Sequence, residues 1–482
     1  MERKKRVNTK KRSAKNPIII KISLLIIVFF VLFATIFKIT ELILINKKDS
    51  FPKLEISLED VTIEQINMDL NSIKYPNNTI TLTTKNTSAT YDNVEIKGHG
   101  NANWNQIKKP YQLKFTDKVS LLDLNASKKW VLITNFLDRS YLRTDIAYYL
   151  ERIFNKDYAL NGNFAELYFD NVYYGLYYIS EKVEIDKSRI FLQNSDGIIG
   201  ELDNLHTSED ECFYDNKKNC IITHDAVNQD NANSATKNLA EKLSELNLAI
   251  NKKDFTKISG LIDVDSFVEY YLLSEFTNNP DAYSSSLFFY QDGKNDKIHT
   301  GPGWDFDFAF ANLLWHTDGI KRNSFFLPSV DTALKDYVSL YGQDLSNHHA
   351  SSISTLFYDL MDIPEFEARV KEIYQSTLSG KKEELLNYIR SQANYIRDAA
   401  HRDQERWKLK TNFDDEVDYL IDWVSKRYDH FEQTYGVNSK PLDKKPTEEL
   451  PNVEYTEPID LAEPSAESNP NPTPESLPPS TE

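Results

Sequence analysis

Cysteine is nearly absent from this 482-residue chain: only Cys212 and Cys220 occur. They lie close together in a polar stretch, where a disulfide and a pair of unpaired thiols are both open readings. His206 and His224 flank them at a spacing that matches no standard zinc pattern. Positive charge is also short. Lys and Arg number 56 against 73 Asp and Glu, a net charge of -17. That balance argues against nucleic acid as a partner, since affinity for phosphate backbones comes mainly from Lys and Arg. No internal repeat is found.

One long apolar run is present, and it sits at the start. The basic opening MERKKRVNTKKRSAKN leads directly into PIIIKISLLIIVFFVLFATIFKITELILI. Ile22 to Phe37 is uncharged, and apolar residues continue on both sides. With Lys21 and Lys38 snorkelling toward headgroups, residues 18–45 can cross a hydrocarbon core of roughly 30 Å. The following INKKDSFPKLE has no small-x-small cleavage site, which favours an uncleaved anchor over a removed signal peptide. The positive-inside rule then leaves the basic head in the cytoplasm and everything after Lys47 outside the membrane.

The remainder has a globular composition, 40% hydrophobic and 12% aromatic. Residues 50–235 alternate β-branched or aromatic with polar residues, the pattern of a strand-rich lobe. The plainest hairpin is FAELYFDNVYYGLYYISEKVEI, with Asp170-Asn171 as its turn. Within the same half, Leu142, Ile146, Leu150 and Ile153 have helical spacing. Residues 236–437 read as a helix-rich lobe, interrupted by the strand-like SLFFYQDGKNDKIHTGPGWDFDFAF. Residues 438–482 carry ten of the eighteen prolines with many acids, and read as a solvated, disordered tail. The expected organisation is therefore a basic head (1–17), a transmembrane helix (18–45), a two-lobed α+β domain and the tail.

Three segments could carry chemistry. In TGPGWDFDFAFAN, Asp305 and Asp307 are two apart; in an extended backbone they share a face and could converge on one divalent cation. The aromatic flanks make that stretch apolar, where an unpaired carboxylate is costly. In SEFTNNPDAYSSSLFFY, Asp281 falls in a loop between a helix and a strand; an isolated aspartate there is ordinarily a turn residue. A loop carboxylate followed by a second one beyond a short hairpin is also how protein kinases set out their catalytic and metal-binding aspartates. In VEIKGHGNANWNQIKKPYQLKF, Gly98 and Gly100 permit a tight turn, and Lys108, Lys109 and Lys114 follow beside the apolar face of Tyr111, Leu113 and Phe115.

Taken in order, these blocks resemble the spore-coat-protein-H (CotH) family of atypical protein kinases. KGHGNANWNQIKKPYQLKF is similar to that family's signature KGRGNSTW…KKPYRIKF. WVLITNFLDRSYLRTDIAYYL, AELYFDNVYYGLYYISEKVEID, GPGWDFDFAFAN and the C-terminal AAHRDQERW and YLIDWVSKRYDHF resemble further family segments, from about residue 90 to 435. The resemblance implies a two-lobed atypical protein-kinase-like fold. It also implies transfer of the γ-phosphate of ATP, with Mg or Mn, to Ser or Thr of a surface or coat protein.

Residue by residue, the resemblance makes Asp281 the catalytic aspartate and Asp305 a metal ligand, with Asp307 a secondary one. Ser286 takes the place of a kinase asparagine on the second metal. Lys109 or Lys114 would meet the ATP phosphates, Glu181 the adenine, and Arg143 either phosphate or its own helix. His99 departs from the family's usual arginine, and Ala102 and Asn103 from Ser and Thr, which weakens expected phosphate contacts. Two other functions fit the same residues: a catalytically inactive surface-assembly or binding module, and a cell-wall carbohydrate-active enzyme using paired carboxylates.

Overall fold

The computed structural model describes Lys38 and residues 51–100, 102–154, 158–204, 208–312 and 354–439. The basic head, the membrane stretch apart from Lys38, His206 and nearly all of the tail lie outside them. Among the described residues, no helix is long and apolar enough to cross a membrane.

The first lobe is a closed seven-stranded barrel. Its strands are β1 (Lys53–Ser57), β2 (Lys74–Thr83), β3 (Ser88–Gly98), β4 (Tyr111–Val119), β5 (Ser127–Ile133), β6 (Gly162–Phe169) and β7 (Val172–Ser180). They run in the order β1-β2-β3-β4-β5-β7-β6, and a parallel β1–β6 pair closes the ring. Period-two alternation fills the inside: Leu54, Ile56, Ile80, Val94, Ile96, Leu113, Trp130, Leu132 and Ile179 are all buried. Each such aliphatic side chain contributes about 1.5–3 kcal/mol by leaving water. A short helix, α1 (Ile63–Met68), bridges β1 and β2. The β6–β7 hairpin turns at Asp170 and Asn171, both with positive φ, as the two-residue turn requires.

Helix α2 (Arg143–Phe154) packs its apolar stripe of Leu142, Ile146 and Leu150 into the core of the second lobe. That lobe contains a five-stranded sheet in the order β12-β11-β8-β10-β9. Here β8 is Ile198–Leu202, β9 Phe213–Tyr214, β10 Cys220–Ala226, β11 Leu287–Gln291 and β12 His299–Thr300. Residues 198–226 thus pair with 287–300, because β8 lies between β10 and β11. The sequence had placed them with the first lobe. Cys212 and Cys220 are joined in a disulfide that closes the β9–β10 turn.

Around this sheet stand α3 (Ala232–Asn251), α4 (Phe255–Leu261), α5 (Val264–Thr277), α6 (Leu356–Met361), α7 (Pro364–Thr377), α8 (Lys382–Trp407) and α9 (Phe413–Tyr435). Helix α8 runs back along the barrel. Its Asp403 accepts the Leu176 N–H of β7 at 2.7 Å and the Tyr141 hydroxyl at 2.8 Å, and pairs with Lys108 at 2.8 Å. Gly175 has φ 132°, and a Cβ there would collide with the Asp403 carboxylate, so glycine is required for the approach of α8. Arg402–Glu166 at 2.7 Å and Trp407 Nε1 donating to the Tyr174 carbonyl at 3.1 Å extend the seam.

Candidate active site

Helix α5 stops at Asn278, whose left-handed backbone (φ 50°) caps the last turn. Asn279 then ties two loops together. Its side-chain oxygen accepts the Asp281 N–H at 3.3 Å, and its amide donates to the Asp305 carbonyl at 3.1 Å. Pro280–Tyr283 forms a 3-10 turn, and the N–H groups of Ser284 and Ser285 donate back to the Asp281 carbonyl.

The Gly301–Asn312 segment is fixed from several sides. Gly303 N–H donates to Glu151 of α2 at 2.7 Å, and Phe310 N–H donates to the Thr277 carbonyl at 2.6 Å. Arg143 Nε donates to the Ala309 carbonyl at 3.1 Å. Asn312 donates to the Leu137 carbonyl at 3.0 Å. Phe306 lies edge-on to Tyr148, and Phe310 edge-on to Trp423.

The extended backbone expected around Asp305 is not what forms. Asp305 is left-handed (φ 59°) and residues 307–312 are turns. The two carboxylates are brought together by a clamped loop rather than by the period of a strand.

Asp281, Asp305 and Asp307 interact strongly. Burial pushes Asp281 up to about 7, aided by the charge of Asp307. Asp305 is raised to about 7 by burial and then by Asp281 and Glu201. Asp307 is raised to about 7 by burial and Asp305, with the Asn103 hydrogen bond acting against the rise. Groups this close titrate as a unit. Asn103, on the glycine turn of the first lobe, donates to Asp307 Oδ2 and so connects the lobes at this point. Asp307 Oδ1 is buried without a hydrogen-bond partner.

Those oxygens fit a hard divalent cation. Among the described residues no three His, Cys, Asp or Glu side chains are grouped to cage a metal. Mg or Mn, however, is commonly bound through one or two carboxylates, with water and phosphate oxygens completing the shell.

The blocks carrying this geometry fall within a single family match, that of the CotH kinase protein family over residues 94–431. The chain belongs to that family. No curated protein matches the chain.

The other residues expected in a CotH site are dispersed. Lys114 is exposed on the outer face of β4, opposite Glu95 and Lys129. Lys109 turns back on the glycine turn, donating to the Trp104 carbonyl with its ammonium 4.8 Å from the Trp104 ring centroid. Arg143 is buried and paired with Asp138, whose carboxylate also accepts the Arg143 N–H at 2.8 Å. With its Nε on Ala309, Arg143 ties its helix to the acidic loop, the second of the two roles open to it. Glu181 is buried, pairs with Arg189 at 2.9 Å and accepts the Asn161 N–H at 3.0 Å. Ser286 has φ 55° and immediately precedes β11.

Glu201, Lys97 and Lys182 carry no obvious signal in sequence, whereas His99 stood out as a departure from the family signature. Glu201 of β8 acts on Asp305 and pairs with His224 at 3.2 Å. His99 packs edge-on to Trp304, beside Asp305, at 6.2 Å. Burial, reinforced by Lys182, Lys97 and His224, pushes the His99 imidazolium down to about 3, so this ring is neutral at ordinary pH. Lys97 and Lys182 belong to the same neighbourhood. Only the strand register, with Lys97 outward and beside the glycine turn, could have singled one of them out.

Proposed function

We propose that this CotH-family protein is a membrane-anchored kinase that transfers the γ-phosphoryl of ATP to a Ser or Thr hydroxyl of a surface or coat protein. The observation that carries the reading is the convergence of Asp281, Asp305 and Asp307 on one loop pair, fixed by Asn279, Glu151 and Arg143 and met by Asn103 of the first lobe. Asp305 and Asp307 would hold Mg or Mn, with Ser286 a further oxygen for a second ion. The bound cation would supply neutralisation of charge building on the transferring phosphoryl. Asp281 accepts the proton of the attacking hydroxyl as its oxygen bonds to the γ-phosphorus and the bond to the ADP oxygen breaks. A carboxylate titrating near 7 is matched to that task.

An outside location is supported by the basic head before a long apolar run, and by the Cys212–Cys220 disulfide, since disulfides persist in oxidising compartments. A second reading, a non-catalytic assembly module, draws support from His99, neutral where the family signature carries a permanent cation. The full-length protein in detergent, incubated with labelled ATP and Mn, decides between them. Phosphotransfer predicts incorporation that disappears in Asp281→Asn and Asp305→Asn; equal labelling of those variants, or none in the parent, removes it.

A further inference from the structure

Between β3 and β4 the chain makes a short 3-10 turn, Ala102–Asn105, and that turn is fastened on several sides. His99 N–H donates to the Pro110 carbonyl at 3.1 Å, and the Asn71 amide donates to the Gly100 carbonyl. The Trp104 ring lies against Gly98, where a Cβ would meet it at 2.6 Å, and stands edge-on to Tyr111. Lys109 closes the other side by donating to the Trp104 carbonyl. A turn held in this way presents its side chains from a rigid support.

Asn103, one residue before Trp104, is carried by this turn to the acidic loop of the second lobe. Its Nδ2 donates to Asp307 Oδ2 at 2.5 Å. A carboxylate only accepts, so the contact fixes the orientation of the amide: nitrogen toward Asp307 Oδ2, Oδ1 to the other side. Asn103 Oδ1 is then buried with no hydrogen-bond partner, and so is Asp307 Oδ1. The two residues share one bond, and each leaves a second oxygen unpaired and out of reach of bulk water.

Buried oxygens without a donor cost free energy, and a cation that binds them removes that cost. Amide carbonyl and carboxylate are both hard oxygen donors of the kind that suits Mg and Mn. The family signature has Thr where this chain has Asn103, so a carbonyl at that place is a property of this sequence.

We infer that Asn103 is a cation ligand supplied by the first lobe: its Oδ1 joins oxygens of Asp305 and Asp307 on the same ion, while its amide N–H on Asp307 holds the lobes together around it. Cation binding and lobe closure thereby become one event. The inference rests on the reading of Asp305 and Asp307 as cation ligands, and on nothing about the substrate.

The test is calorimetric titration of Mn into the full-length protein in detergent, without nucleotide, with Asp305→Asn as the control for the site. Asn103→Leu, of nearly equal size, should weaken Mn binding about tenfold, an ordinary loss for one supporting group at a metal. Asn103→Asp keeps an oxygen in that place and should bind Mn at least as tightly as the parent, although its metal-free melt should fall because a like charge faces Asp307. Pulsed EPR of bound Mn, with the asparagine side-chain carbonyls labelled with carbon-13, should show a carbon coupling that vanishes in Asn103→Leu. Where the melt of Asn103→Leu falls as well, this coupling decides, because a merely structural asparagine would not produce it. Parental Mn affinity in Asn103→Leu, or a coupling that is absent from the parent or unchanged in that variant, overturns the inference and leaves the aspartate site standing. Equal weakening in Asn103→Leu and Asn103→Asp also overturns it, since the donor and not the oxygen would then matter. Mn binding that survives Asp305→Asn, or no binding by the parent, removes the cation reading of the aspartates together with the inference.

Discussion

Two charged seams join the barrel to the second lobe. Around Asp403 every charge is matched. Lys108 is fully buried, yet it has the Asp403 carboxylate at 2.8 Å, the Thr134 carbonyl at 2.9 Å, the Leu176 carbonyl at 2.6 Å and the Tyr177 ring at 4.7 Å. Around Asp305 like charges are grouped instead: Asp281, Asp305 and Asp307 oppose one another's ionisation, and neutral His99 packs on Trp304 beside them. The first arrangement is finished without a ligand. The second is unfavourable in isolation, and grouped acids whose ionisation is opposed in this way are a common mark of a functional site. Burial alone therefore does not distinguish structure from function here; what does is whether each charge has its counterpart inside the protein.

The largest effect should come from breaking the matched seam. Asp403→Ala would strand Lys108 in an apolar setting and release the Tyr141 and Leu176 bonds, a loss of about 3–5 kcal/mol. Thermal melting should show a large fall, and a near-parental melt would mean the seam is not the interlobe staple. Arg143→Lys should be next. Lysine keeps the charge but cannot bridge Asp138 and the Ala309 carbonyl together, so about 2 kcal/mol should be lost. Because Ala309 lies in the acidic loop, the same variant should weaken Mn binding by calorimetry, whereas a purely local role would leave Mn affinity unchanged.

The grouped seam should respond with the opposite sign. Asp305→Asn removes one repelling carboxylate and should stabilise the metal-free protein by about 1 kcal/mol while abolishing Mn binding. Its pH dependence follows from the raised carboxyls. Between about 4, where unfolded carboxyls ionise, and about 7, where these do, the folded state holds the extra protons. Stability must therefore fall as pH rises through that window. Glu181, raised to about 7, and Glu151, raised to about 8, act in the same direction. Melts from pH 4 to 8 without metal should fall steadily, less steeply in Asp305→Asn, and Mn should reverse the trend above pH 7. A parental melt that rises over that range would contradict the coupled acids.

Much of this was legible in the letters, unevenly. The β6–β7 hairpin follows from alternation on both sides of Asp170-Asn171, and α2 from the Leu142, Ile146, Leu150 stripe, since both are local patterns. Asp305 and Asp307 stood out as acids among Trp304, Phe306 and Phe308, and Asp281 through its loop position between a helix and a strand, the layout of a kinase catalytic aspartate. Their convergence was expected for the wrong reason: a clamped left-handed turn, not a strand, brings Asp305 to Asp307. The surroundings of the lysines were illegible for a related cause. A sequence shows that Lys109 and Lys114 follow the glycine turn, but not that one folds back onto Trp104 and the other reaches open solvent. Nor could it show that 198–226 would join 287–300 in one sheet, because β11, the strand that settles this, pairs with β8 across more than eighty residues of chain, as at Leu287 and Leu202.

The smallest effect separates two neighbouring rows of one barrel face. Lys114 and Lys97 both point outward, from adjacent strands, one pleat apart. Lys97 lies in the covered row with Gln112 and Val131, while Lys114 lies in the open row between Glu95 and Lys129. An exposed lysine without a tight partner holds its charge in water whether or not an anion is near. Lys114→Ala should therefore change stability by less than about 0.5 kcal/mol and leave ATP labelling at parental levels. Loss of labelling in Lys114→Ala at a parental melt would mean that the ATP phosphates meet the open side of the barrel.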